Sequence, residues 1–280
     1  MLTINTICVC GAGTMGNGIA QAAAQSGFYT ILYELNPAAL EYAKNNIEKK
    51  LRLLAEKGKI IDWEKIFQNI QFTNDIQNCR ADVFIEAILE KTEIKVDLFN
   101  QLAELNHSKS IFATNTSSLS ISKIAKQVKN PERLIGMHFF NPAPLMKLVE
   151  VVRTEYTNED TLQVIIDLAK QMGKVPVVCN DSPGFIVNRV ARPYYIESLR
   201  LIEERITNFS QLDLLMEATG FKMGPFRLMD LIGNDINYAV SVSVYEQLNS
   251  PERLRPSSIQ KEKVERNELG IKTKKGYYTY

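Results

Sequence analysis

The chain has two histidines, and one of them, His138, lies twelve residues before Glu150, a carboxylate set inside the apolar run LVEVV. An imidazole, which titrates near ~6.5 when unperturbed, carries protons at neutral pH. A carboxylate beside it can hold one ring nitrogen, fix the tautomer and stabilise the imidazolium. The segment NPAPLMK is short enough to join two neighbouring strands, which would bring His138 and Glu150 to one level. The plainer alternative is a core histidine near an edge carboxylate. The second histidine, His107 in ELNHSKS, reads as solvated surface.

A second group of residues points to a nucleotide. Gly11-Ala12-Gly13-Thr14-Met15-Gly16 follows the strand-like INTICVC and opens a small-residue helix. Gly11 permits a tight turn, Gly13 lets backbone approach a pyrophosphate, and Gly16 allows close helix–strand packing. The phosphates would meet N–H groups at the helix N-terminus. Glu34 closes the next strand, where an acid can bind both ribose hydroxyls and repel a 2′-phosphate, favouring NAD over NADP. The glycines serving only as turn and packing residues is the bland alternative. Glu90, Asn115 with Ser117, and His138 with Asn141 follow the later strand segments ADVFIEA, SIFAT and RLIGM. In an open α/β sheet, ligands sit beyond the carboxyl ends of the strands.

These residues need a sheet to gather them. Strand-like segments at 4–10, 28–34, 70–74, 81–87, 110–116, 133–139, 148–153 and 174–180 alternate with helical ones at 14–27, 37–57, 91–105, 118–128 and 159–172. That alternation predicts a Rossmann-type, doubly wound, mostly parallel sheet over residues 1–182. From Ser182-Pro183, a helix-start pair, the sequence reads as helix to about 207 with a kink at Pro193, then as helices over 210–219, 224–248 and 257–268. A smaller all-α domain over 183–280 is expected.

Composition excludes other classes. With 45% hydrophobic and 23% charged residues and a net charge of +1, the 280-residue chain suggests neither a nucleic-acid nor a membrane partner. No apolar run spans a bilayer, and the N-terminus lacks the pattern of a signal peptide. Cys8, Cys10, Cys79 and Cys179 read as small core residues of a reducing, cytoplasmic compartment. Cys8 and Cys10 share one strand face, which is poor disulfide geometry. No metal site is expected, since no second Cys or His pair has ligand spacing.

HFFNPAPLMKLVEVV, ADVFIEAILE, ATNTSSLSI, DSPGFIVNR and GIKTKKGYYTY resemble the L-3-hydroxyacyl-CoA dehydrogenases over essentially the whole chain, and its length is similar to the bacterial short-chain 3-hydroxybutyryl-CoA branch. The resemblance implies NAD-dependent oxidation of a 3-hydroxyacyl-CoA to the 3-ketoacyl-CoA, with a homodimer formed through the helical domain. It makes His138 the general base and Glu150 its partner, with Ser117 and Asn188 bonded to the reacting oxygen. Glu90, Lys95, Asn115, Ser117 and Asn141 would line the nicotinamide, and Lys272 would reach toward the cofactor from the tail. For an acyl-CoA 3′-phosphate, KKLRLLAEKGK offers Lys49, Arg52 and Lys57, although a solvated helix face explains them as well. The sequence departs from the family at Lys274, where Gly is usual, at Asn234, where Leu is usual, and in the run Phe221–Gly224. Rival readings are a dehydrogenase of a free hydroxy acid or sugar acid, and a non-catalytic NAD(H)-binding protein.

Overall fold

The computed structural model describes residues 3–280. The chain divides into two compact units, Met1–Asp181 and Ser182–Tyr280.

In the first unit the elements run β1 (Thr6–Cys10), α1 (Thr14–Gln25), β2 (Tyr29–Tyr33), α2 (Pro37–Glu56), α3 (Trp63–Gln68), β3 (Ile70–Thr73), β4 (Val83–Glu86), α4 (Thr92–Leu105), β5 (Ile111–Thr114), α5 (Ile121–Ala125), β6 (Leu134–Phe139), β7 (Leu148–Arg153), α6 (Glu159–Gln171) and β8 (Val175–Asn180). They form one eight-stranded sheet in the order β3-β2-β1-β4-β5-β6-β7-β8. All neighbours pair in parallel except β6 with β7, which are antiparallel. The central strands β4, β5 and β6 are buried along their whole length, as their apolar runs require of a sheet covered on both faces. Ile7, Val9, Ile19, Leu32, Ile85, Ile135 and Val151 belong to the core between sheet and helices. The strand order changes direction between β1 and β4, which is where such sheets open a ligand crevice.

The second unit consists of α7 (Val187–Glu203), α8 (Phe209–Ala218), α9 (Pro225–Ile232), α10 (Asn234–Gln247) and α11 (Ser258–Glu265). Isolated bridges Gly270↔Lys275 and Lys275↔Thr279 fold the tail. Tyr195, Leu199, Leu212, Phe226, Met229 and Tyr277 form its core.

Several elements differ from the sequence reading. The short helix α3 was not read from the sequence, although Asp62 caps it by accepting from Lys65 N at 3.0 Å. The helix expected from Ser182-Pro183 begins only at Val187, because Gly184 (φ 74°) and Phe185 (φ 48°) take left-handed backbone that no helix continues. It runs on through Pro193 and ends at Glu203, before Arg205 at φ 59°. The helix read over 118–128 shrinks to Ile121–Ala125, capped by Ser120. The one read over 224–248 breaks into α9 and α10 at Gly233, whose φ of 104° stops the first. Cys8, Cys10 and Cys79 are buried free thiols, but Cys179 is only half-buried, because β8 is the sheet edge and has no outer strand to cover it.

Candidate active site

The glycine turn is built at the crevice. Gly11 leaves β1 at φ 101° and donates its N–H to Tyr33 O at 2.7 Å, which ties the turn to the end of β2. A β-carbon at Gly16 would collide with the carbonyl of Gly11, so only glycine lets α1 pack so close to the turn. A β-carbon at Gly13 would meet no atom within 4 Å, so the bare backbone there faces open space. Thr14 and Met15 open the twelve-residue α1, and no side chain caps its N-terminus. Glu34 follows β2; its Oε2 accepts from Ala12 N and its Oε1 from Asn36 N, both at 3.0 Å. The residues present therefore fit a dinucleotide. They offer uncapped helix amides for the phosphates, clearance at Gly13, and a carboxylate beside the turn for a ribose.

Farther along the sheet, His138 on β6 stands directly opposite Glu150 on β7 in the antiparallel register. Its Nδ1 lies 2.7 Å from Glu150 Oε2, with both side chains buried. The rings of His138 and Phe140 are 4.6 Å apart. Removing either partner would strand the other's polarity in the interior. Asn115, after β5, accepts from Phe139 N at 2.8 Å and so joins the end of β5 to the residue after His138. Asn141 lies exposed at the start of the β6–β7 loop. That loop is held from below by the buried Lys174, whose Nζ donates to Ala143 O at 2.5 Å and to Met146 O at 3.0 Å. Burial pulls the Lys174 ammonium below the ordinary lysine range.

Between these two groups lies a charged chain. Lys95, on α4, is 1% exposed, and its Nζ sits 2.5 Å from Glu86 and 3.1 Å from Glu90. Glu90 Oε1 accepts from Thr116 Oγ at 2.5 Å, from Ser118 Oγ at 3.1 Å and from Ser117 N at 3.3 Å. Burial raises the Glu90 pKa, but the Lys95 ammonium and the hydroxyl donors outweigh it and hold the carboxyl below the ordinary range. Glu86 and Lys174 are not among the residues singled out from the sequence. Glu86 carries the same signal that singles out Glu150, a carboxylate inside an apolar strand.

The remaining residues lie elsewhere. Asn188, in the first turn of α7, belongs to the second unit, and its carbonyl accepts from Arg192 Nε at 3.0 Å. Lys272 is also in the second unit, where its Nζ pairs with Asp235 at 2.5 and 2.7 Å. On α2, Lys49 and Arg52 line an open cavity of ≈380 Å³ together with Glu48 and Glu56, while Lys57 does not. Arg52 is engaged there, paired with Glu48 at 2.5 Å and stacked 4.6 Å from the Trp63 ring centre. Among the described residues, no group of three His, Cys, Asp or Glu side chains is placed to hold a metal ion.

Comparison with known proteins identifies the family of both halves of the chain. Residues 6–182 match the family described as 3-hydroxyacyl-CoA dehydrogenase, NAD binding domain, and residues 184–280 match its C-terminal domain. The 3-hydroxyadipyl-CoA dehydrogenase of Escherichia coli is 43% identical over 100% of this chain, which spans only 60% of that protein. A probable 3-hydroxybutyryl-CoA dehydrogenase of Deinococcus radiodurans is 40% identical over 97% of this chain and 99% of its own length. The solved structure of (S)-3-hydroxybutyryl-CoA dehydrogenase from Ralstonia eutropha superposes with a TM-score of 0.95 at 35% identity, covering 99% of each chain. With both halves of the chain matched in order and the dinucleotide turn in place, the chain belongs to the 3-hydroxyacyl-CoA dehydrogenase family.

Proposed function

We propose that this chain interconverts a short-chain (S)-3-hydroxyacyl-CoA and the corresponding 3-ketoacyl-CoA, with His138 and Glu150 managing the proton. The observation that carries this reading is the 2.7 Å contact between His138 Nδ1 and Glu150 Oε2, on the sheet that also carries the glycine turn. NAD held at the glycine turn would supply the redox chemistry, hydride transfer to or from C3 of the substrate.

The protein's part is to bind, orient and move a proton. Gly11, Gly13 and Gly16, with Thr14 and Met15 at the helix start, would hold the pyrophosphate, and Glu34 would hold the ribose. Glu90, Asn115 and Asn141 would hold the nicotinamide end. Glu150 fixes Nδ1 of His138, which assigns proton exchange with the substrate hydroxyl to Nε2. Glu150 then stabilises the imidazolium that forms. Ser117 supplies a donor for charge developing on the substrate oxygen.

NADH oxidation with acetoacetyl-CoA, run beside free acetoacetate, tests the substrate class. The CoA part of the substrate contributes binding energy remote from the reacting carbon, so kcat/KM for the thioester should exceed that for the free acid by ~100-fold or more. Equal rates, or a preference for the free acid, would favour a hydroxy-acid dehydrogenase on this fold. No NADH oxidation with either would favour a binding protein.

We also propose that the second unit pairs with a second copy of the chain. Leu214, Leu215, Phe221, Leu231 and Ile236 are each at least half exposed there, an apolar surface that water disfavours. Light scattering should give twice the 31.7 kDa chain mass. A monomer at micromolar concentration would remove this proposal.

A further inference from the structure

Glu86 has no part in the proton chemistry above, yet it is among the most constrained side chains in the first unit. It is 0% exposed and ends β4 at the point where the strand order reverses. Both carboxylate oxygens are engaged. Oε1 accepts from Ile88 N at 2.8 Å and from Lys95 Nζ at 2.5 Å, and Oε2 accepts from Thr114 Oγ at 2.7 Å. Its backbone belongs to the same node. The Glu86 carbonyl accepts from Asn115 N at 2.8 Å, and the next amide, Ala87 N, donates to Cys10 O beside the glycine turn, also at 2.8 Å.

A buried ammonium is tolerated only where a counter-charge compensates its lost hydration. Lys95 has two candidates. Glu90 is the weaker partner, since it lies at 3.1 Å, its side chain is 39% exposed, and its other oxygen is occupied by the donors of residues 116–118. Glu86 is the closer, wholly buried partner. Its carboxylate holds the Lys95 ammonium in place at 2.5 Å, so that Lys95 steadies Glu90 without drawing it off the Ser117 segment. The segment depends on that anchor. Besides the contacts of Glu90 with Thr116, Ser117 and Ser118, Thr116 Oγ accepts from Ser118 N at 3.3 Å and from Leu119 N at 3.0 Å.

We infer that Glu86 is a positioning residue, the buried counter-charge that sets the Ser117 donor segment through Lys95 and Glu90. The inference rests on the dehydrogenase reading for its kinetic consequence, but the mechanical chain stands without it. It also gives Lys95 an interior role, since at 1% exposure with its ammonium held by Glu86 and Glu90 it would act on a cofactor through Glu90.

The test compares Glu86→Gln, and the charge-neutral double variant Glu86→Gln with Lys95→Met, against the unmodified protein. The readouts are thermal midpoint, deuterium exchange of the amides at 117–119, NADH affinity by fluorescence, and kcat with acetoacetyl-CoA. The single variant leaves a buried cation short of its partner. It should be less stable, exchange faster at 117–119, and lose ~10-fold or more in kcat, with NADH affinity within ~3-fold, because a donor moved by a fraction of an ångström weakens only the reaction step. The double variant removes both charges and should recover most of the thermal midpoint, yet keep the fast exchange and the low kcat, since Glu90 still lacks its ammonium. If the single variant does not fold, the double variant carries the test. Recovery of exchange and kcat together with stability would show that Glu86 acts only on the fold and would overturn the inference, as would unchanged exchange in both variants. An unmodified protein that does not turn over acetoacetyl-CoA would overturn the dehydrogenase reading instead, and the exchange comparison would still decide the role of Glu86.

Discussion

The Glu150 carboxylate shows what one residue adds to an imidazole. A neutral acceptor opposite His138 Nδ1 would orient the ring equally well, because orientation needs only a hydrogen bond. A charge is needed to favour the imidazolium over the neutral ring. Glu150→Gln separates the two effects, since the amide oxygen still accepts from Nδ1 while the charge is gone. We predict a fall in kcat of about 10²–10⁴-fold with KM for acetoacetyl-CoA nearly unchanged, measured at substrate saturation. A wild-type kcat in that variant would mean that the carboxylate only orients. The same scale explains two of the three family departures. Asn234 is fully buried, but its Nδ2 donates to Asp230 Oδ1 at 2.9 Å and to Glu268 O at 3.2 Å, so the polar side chain is absorbed into the bonds that hold the tail. Lys274 stands in left-handed backbone at φ 58°, which accounts for the usual glycine there.

At the scale of elements, the tail 270–280 is fixed by carboxylates as well as by the packing of Tyr277 in the core. Asp230 accepts from Tyr277 N and Tyr278 N, both at 3.0 Å, and from Tyr280 Oη at 3.1 Å. Glu268 pairs with Lys263 at 2.6 Å and with Lys275 at 2.7 Å. Those two ammonium groups hold the Glu268 carboxyl at about 2, below the ordinary 4.5. A carboxyl with a depressed folded-state pKa stabilises fully above its unfolded value and loses that contribution as pH falls toward the folded value. Stability should therefore decline between about pH 4.5 and pH 2 partly through this group. Chemical denaturation across that window should show a shallower decline for Glu268→Gln than for the unmodified chain. Parallel curves would show that the ion pairs do not support the tail.

For the whole molecule, the sheet was legible because it leaves period and punctuation in the sequence. Each buried strand is an apolar run ended by a turn, and the glycine pattern marks the one turn that must stay bare. The change from alternating strands and helices to helices alone near Asp181 is likewise a change of period. What escaped was decided by backbone torsion or by long-range charge. Gly233 looks like any glycine inside a helical pattern until its φ of 104° is seen, and Phe185 gives no warning that it will turn left-handed. Glu86 and Lys95 are nine residues apart on a strand and a helix, and only packing shows that they form one buried ion pair. His138 and Glu150 were easier to pair because a short loop between adjacent strands leaves few registers to choose from. The central claim is that His138 carries the proton while the rest of the site binds. The direct measurement is His138→Asn, assayed for acetoacetyl-CoA reduction and for NADH binding by fluorescence titration. The account predicts a loss in turnover of ~10³-fold or more with NADH affinity unchanged within about twofold. Turnover near that of the unmodified protein would contradict it.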